Sequence, residues 1–164
     1  NLNYSRMLSG LMKHETRKKL VLYAIQKFRQ RFPGRRALVL SARKCILTYL
    51  HEKIPDSGLY VGGATTKKDK RAREKTSTDA QVVLATHGVA AEGLDLKPAP
   101  SMLFLVCPAK SIVQQAVGRV TRAVRSASSP PVVVDFVDDF SVFRYMAKSR
   151  ERFYKEKGYK VKHM

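Results

Sequence analysis

Four short runs of consecutive apolar residues punctuate the chain: Ala37-Leu-Val-Leu40, Val82-Val-Leu-Ala85, Met102-Leu-Phe-Leu-Val106 and Val132-Val-Val-Asp-Phe136. None alternates with polar residues, which is the pattern of parallel strands covered on both faces. Leu59-Tyr-Val61, just ahead of Gly62 and Gly63, is read as a fifth, shorter strand. Helical periodicity fills the gaps over Lys44–Lys53, Lys67–Lys75 and Ser111–Val124, and two further helices flank the set over Lys13–Phe32 and Ser141–Lys157. Loops fall at Phe32-Pro-Gly34, Lys97-Pro-Ala-Pro100 and Ser126–Pro131. Strands alternating with helices predict one α/β domain over residues 1–164: an open, mostly parallel sheet flanked by helices on both faces. Residues 1–35 form a helical lead-in, and 141–164 a closing helix with a basic tail.

One helix carries more than packing requires. With Ile112 at zero and ~100° per residue, Ile112, Val113, Ala116, Val117, Val120, Ala123 and Val124 fall within about 140°. That is a full core-facing stripe. Gln115, Arg119 and Arg122 gather within about 60° on the other side. Three converging donors on a sheet-backed helix suit an anion such as a phosphate, although two arginines alone would pass for an exposed, solvated face.

The charge points the same way. The chain has 32 Lys and Arg against 13 Asp and Glu, a net charge of +19, which favours a polyanionic partner, nucleic acid first among them. No run approaches the ~20 apolar residues of a membrane span. Cys45 and Cys107 lie far apart and in no Cys-x-x-Cys pattern, so reduced thiols and an intracellular site, cytoplasmic, nuclear or viral, are expected. The chain opens on Asn1 rather than Met, which raises the expectation of a longer protein.

Gln115, Gly118, Arg119 and Arg122 resemble motif VI of superfamily 2 helicases, Gln-x-x-Gly-Arg-x-x-Arg. Upstream, Thr86 to Asp95 is similar to motif V, Thr-x-x-x-x-x-x-Gly-x-Asp after a strand. Leu38-Val-Leu-Ser-Ala-Arg43 looks like motif IV, and Tyr60-Val-Gly-Gly63 like the glycine turn that often follows it. Several ordered motifs at strand ends, covering nearly the whole chain, imply the second RecA-like domain of such a helicase. Leu8-x-x-Leu-Met12 with Arg17, and Asp135–Phe140 with Tyr154 and Tyr159, look closest to XPB-type helicases and those of phages and large DNA viruses.

The resemblance implies roles. Arg122 would be the arginine finger, Arg119 would reach the same phosphates, and Gln115 would position water or the adjacent domain. Gly93, Asp95 and Gly118 would face the nucleotide, Asp95 accepting from the ribose and Gly118 letting its helix pack closely. Ser41, Arg43, Gly62, Gly63 and Thr86 would hold backbone phosphates of a strand, with Lys67, Lys68 and Lys70 adding field. His87 stands where Asp is commoner after the motif V threonine, and is assigned to the same groove. From the residues alone, the alternative readings are helix caps for Thr86 and Asp95 and plain turns for Gly62 and Gly63.

Two features of the family are missing. The chain has no Gly-x-x-x-x-Gly-Lys-Ser/Thr phosphate loop and no Asp-Glu-x-Asp/His pair for Mg²⁺. Both belong to the first RecA-like domain, so ATP and Mg²⁺ are expected to be held mainly there. The first domain is then a partner of this one, and the fragment alone is expected to be monomeric and inactive. The alternatives are a non-catalytic nucleic-acid-binding module of the same fold and an unrelated α/β nucleotide enzyme. Ser41-Ala-Arg-Lys44 lacks the glycines that the last would require after its first strand.

Overall fold

The computed structural model describes residues 3–62, 66–91, 94, 96–107, 113–122 and 130–164; for 76–78 and 119–122 it describes the backbone alone. In chain order the elements are α1 (Tyr4–Lys13), α2 (Glu15–Arg31), β1 (Ala37–Ser41), α3 (Lys44–Lys53), β2 (Ser57–Tyr60) and α4 (Lys67–Asp79). They continue with β3 (Val82–Thr86), α5 (His87–Ala91), β4 (Met102–Leu105), α6 (Val113–Arg122), β5 (Val132–Asp135) and α7 (Ser141–Glu156). All five strands are parallel, in the order β2-β3-β1-β4-β5.

The apolar runs are continuous because the sheet has two buried faces. Residues of one parity, Val39, Leu84, Phe104 and Val134, stand in one row of the register and join one core. Their neighbours Leu38, Val83 and Leu103 make a second row in the opposite core. The first core is roofed by Leu8 and Met12 of α1, Val21 and Ile25 of α2, and Ile46, Leu47 and Leu50 of α3. The second is roofed by Ala90 of α5 and Val113, Ala116 and Val117 of α6. Val113, Ala116 and Val117 of the α6 stripe therefore lie where the periodicity put them, with Gln114 and Gln115 exposed, while Ile112, Ala123, Val124 and the Val120 side chain lie outside the described residues.

The helix expected over Lys13–Phe32 is α2, and a further helix, α1, precedes it. The chain bends at His14, whose backbone is extended (φ −64°, ψ 119°) and which serves both helices. Its N–H closes α1 on Leu11 O, and its Nδ1 accepts from Arg17 N to open α2.

α7 belongs to both cores. Phe143 and Met146 enter the first, and Tyr154 the second. A buried ion pair fixes this crossing: Arg150 donates from Nε and Nη2 to Asp135 at 2.7 and 2.9 Å, and the Tyr154 hydroxyl adds a third bond at 3.0 Å. Burial opposes the Arg150 charge, but Asp135 outweighs it and holds the guanidinium pKa above its usual value. A second pair joins α2 to the loop after β5. Arg17 grips both oxygens of Asp138 at 2.7 and 2.8 Å and the Val106 carbonyl at 2.9 Å.

A candidate nucleic-acid and nucleotide interface

Because every strand runs the same way, all five carboxyl ends open on one rim, where ligands gather in open α/β sheets. Ser41 and Thr86 end the adjacent strands β1 and β3 and are partners in the register. Gly62 follows β2, and α6 follows β4. The predicted groove residues that are described are therefore brought to one edge by sheet topology, although the chain separates them widely.

Their side chains divide by role. Ser41 is fully buried; its hydroxyl accepts from Arg43 N and donates to Arg43 O, both at 3.0 Å. In this conformation it builds the turn and offers no donor to solvent. Arg43 leans back on α1, donating to Ser5 Oγ at 2.7 Å and Ser9 Oγ at 3.1 Å. Thr86 is half-buried.

Gly62 is not in the left-handed region, and a Cβ added there would meet Val89 Cγ2 at 3.8 Å, an ordinary contact. Its carbonyl accepts from Lys44 Nζ at 2.7 Å, while Val61 O accepts from Arg73 Nη1 at 2.6 Å. Sequence reasoning missed these two cations as anchors of the loop after β2. Arg73 lay inside a charge run that reads as solvated.

His87 opens α5 and is buried, and its Nε2 has no hydrogen-bond partner among the described residues. Burial pushes its pKa down to about 4, so the ring is neutral near pH 7. The unfolded chain then binds more protons than the folded one between pH 6.5 and 4, and stability falls as pH falls through that window. About 2 kcal/mol is expected to be lost by pH 5 from this group. Urea unfolding at pH 7 and pH 5 should show a gap that shrinks by that amount in His87→Gln; an unchanged gap would place the titration elsewhere.

On α6, Gln115 is exposed. A Cβ added at Gly118 would meet nothing within 4 Å among the described residues. Arg119 and Arg122 belong to α6 by backbone, and their side chains lie outside the described residues, as do Gly63, Gly93 and Asp95 entirely.

No family model matches the chain. A protein of Acanthamoeba polyphaga mimivirus, named provisionally as ATP-dependent RNA helicase L396, is 29% identical over 167 residues, covering 97% of this chain and 30% of that protein. Among solved structures, T4 UvsW superposes with a TM-score of 0.68 at 19% identity, over 96% of this chain and 36% of the other. The C-terminal domain of the DEAD-box protein Dbp5 gives 0.61 at 16% identity, over 89% and 81%. The chain therefore shares the RecA-like fold of these domains.

The chain spans about a third of the length of the mimivirus relative. In this RecA-like sheet the segments that resemble motifs IV and V reach the same rim from β1 and β3, and the one that resembles motif VI lies in α6, which packs on the second core.

Proposed function

We propose that this chain is the second motor domain of an ATP-dependent helicase or translocase, and that it grips a nucleic-acid strand on its rim and completes an ATP site begun elsewhere. The register pairing of Ser41 with Thr86, which sets two strand-binding motifs side by side, carries the reading. The ordered motifs and the similarity along 97% of the chain support it.

In this reading the strand's phosphates meet backbone N–H groups of the β1 and β3 loops, Thr86, and the loop at Gly62–Gly63 held by Lys44 and Arg73. Ser41 shapes the turn and His87 backs it. Nothing among these residues reads base edges systematically, so binding is sequence-independent. Arg122 and Arg119 meet the γ-phosphate of ATP held by a first RecA-like domain, with Gly118 leaving room for that domain. Gln115 positions water or that domain, and Gly93 and Asp95 face the nucleotide. These donors suit phosphate oxygens and not Mg²⁺, which the carboxylates of the other domain would hold while it shields phosphate charge. Closure brings guanidinium charge to oxygens that become more negative during phosphoryl transfer, which lowers the barrier only when both domains meet.

The test starts with the isolated chain. Labelled single strands should bind weakly, with affinity falling linearly in logarithm against salt, and Thr86→Ala should weaken binding without shifting the melting temperature. ATP turnover that copurifies with this chain alone would overturn the half-site reading, and a Thr86→Ala protein with parental affinity would make Thr86 a cap.

A further inference from the structure

The loop between β5 and α7 ends on the same rim and carries a feature that the motor reading does not use. Phe140 is 44% exposed although it is a large aromatic, and Tyr4 beside it is 42% exposed. Both rings rest on the buried ring of Phe143, Phe140 at 5.1 Å and 80° and Tyr4 at 5.9 Å and 54°. Neither lies flat on Phe143, so close to half of each side chain stays open. Arg43 donates to the Oγ of Ser5, the residue after Tyr4, at 2.7 Å, which puts this ring next to the groove.

The loop is held rather than loose. Asp138 is gripped by Arg17 and Asp139 by Arg144, the latter at 2.6 Å. Phe140 N–H donates to Asp138 O at 3.0 Å, and Ser141, directly after it, has φ +50°. A non-glycine residue adopts that left-handed conformation at an energetic cost, and such positions concentrate where a segment is held for a ligand. Both carboxylates of the loop are thus neutralised by arginines, leaving apolar rings beside Arg43 on a chain of net charge +19. An anionic partner with flat apolar faces fits this surface better than an acidic or a plain apolar one.

We infer that Phe140 and Tyr4 form a base-stacking platform that extends the strand groove past Arg43, and that its occupant is an unpaired nucleic-acid strand. The inference rests on the strand-binding reading above and adds to it that bases, and not only phosphates, are held. Stacking needs a flat face of any base, so it preserves sequence independence. A rigid, pre-placed ring loses little freedom on binding.

The 164-residue chain contains no tryptophan, so Phe140→Trp installs a single reporter. Its fluorescence should be quenched by an oligo(dT) or oligo(U) of roughly twelve nucleotides and not by an abasic strand of the same length. By anisotropy, Phe140→Leu, which keeps the apolar contact with Phe143, and Tyr4→Leu should each weaken oligonucleotide binding by about fivefold or more. Abasic-strand binding should not change. Tyr145, 72% exposed and about 200° round α7 from Phe143, is the control, and Tyr145→Leu should bind as the parent. If the parent binds base-bearing and abasic strands equally and Phe140→Leu changes neither, the platform is refuted while the phosphate groove stands. If the parent binds neither strand at low salt, the motor reading falls with it. Affinity of the same surface for an apolar peptide, with no loss of strand binding in the variants, would make it a protein-docking site instead.

Discussion

In a motor with both RecA-like domains, Arg122→Lys should lower ATP turnover more than tenfold while ATP affinity and melting temperature stay near parental values. The fold is spared because of helix geometry. Seven residues separate position 122 from Gln115, so both lie on the same side of α6, away from the stripe of Val113, Ala116 and Val117. ATP affinity is spared because a phosphate loop on the other domain makes most ground-state contacts. The rate is not spared. A lysine offers a point charge in place of a planar fork, and arginine fingers in related reactions are worth ~10³–10⁵ in rate. A drop in kcat with KM unchanged would mark an interaction made in the transition state. Steady-state ATPase at saturating nucleic acid, beside thermal melting, decides it. Near-parental turnover in a normally melting variant would mean that α6 carries surface arginines only. Val117→Lys is the folding control: it puts a charge into the buried stripe and should unfold the domain.

The second large effect concerns the crossing of α7. Asp135→Ala should cost about 3–5 kcal/mol, because it strands the buried Arg150 charge without its partner. For a domain of this size that is a fall in Tm on the order of 10 °C. Asp135→Ala combined with Arg150→Met should recover most of the loss, since the desolvated charge leaves with its partner. Melting curves of the single and double variants make the test. A single variant that melts with the parent would show that the pair contributes nothing net, despite its geometry. The double variant also separates architecture from motor chemistry, as neither residue belongs to the proposed ATP site.

How much of this was readable beforehand depended on whether a signal was local. β1, β3, β4 and β5 announce themselves as unbroken apolar runs, and α3 begins at Lys44 and ends at Lys53 as its periodicity said. β2 begins two residues before the predicted run, at Ser57, because the small residues Ser57 and Gly58 carry no hydrophobic mark. α1 was missed because the break at His14 is made by one side-chain cap and an extended backbone, not by glycine or proline. At the rim, the described candidate groove residues lie along one edge of the sheet. What could not be read was the commitment of each side chain: that Ser41 turns inward on Arg43, that Arg43 reaches α1, and that Lys44 and Arg73 hold the carbonyls ahead of the glycine turn. Those choices depend on partners far away in the chain, Ser5 and Ser9 among them. The aromatic rim was hidden for the same reason. Phe140 and Tyr4 meet only through Phe143, from opposite ends of the sequence.

The strand order carries a cost during synthesis. β1 is the first strand to be made and lies in the middle of the finished sheet, where Ala37 pairs with Val82 on one side and Met102 on the other. Both neighbours leave the ribosome long after it, and β2, the next strand made, does not touch it. The Ala37-Leu-Val-Leu40 segment must therefore wait for its first neighbour until Thr86 has emerged, and for its second until the chain has emerged past Leu105. Slow, long-range pairing of this kind exposes sticky surface in the meantime. Nascent chains stalled between Val82 and Met102 should accordingly be the ones that chaperones hold longest.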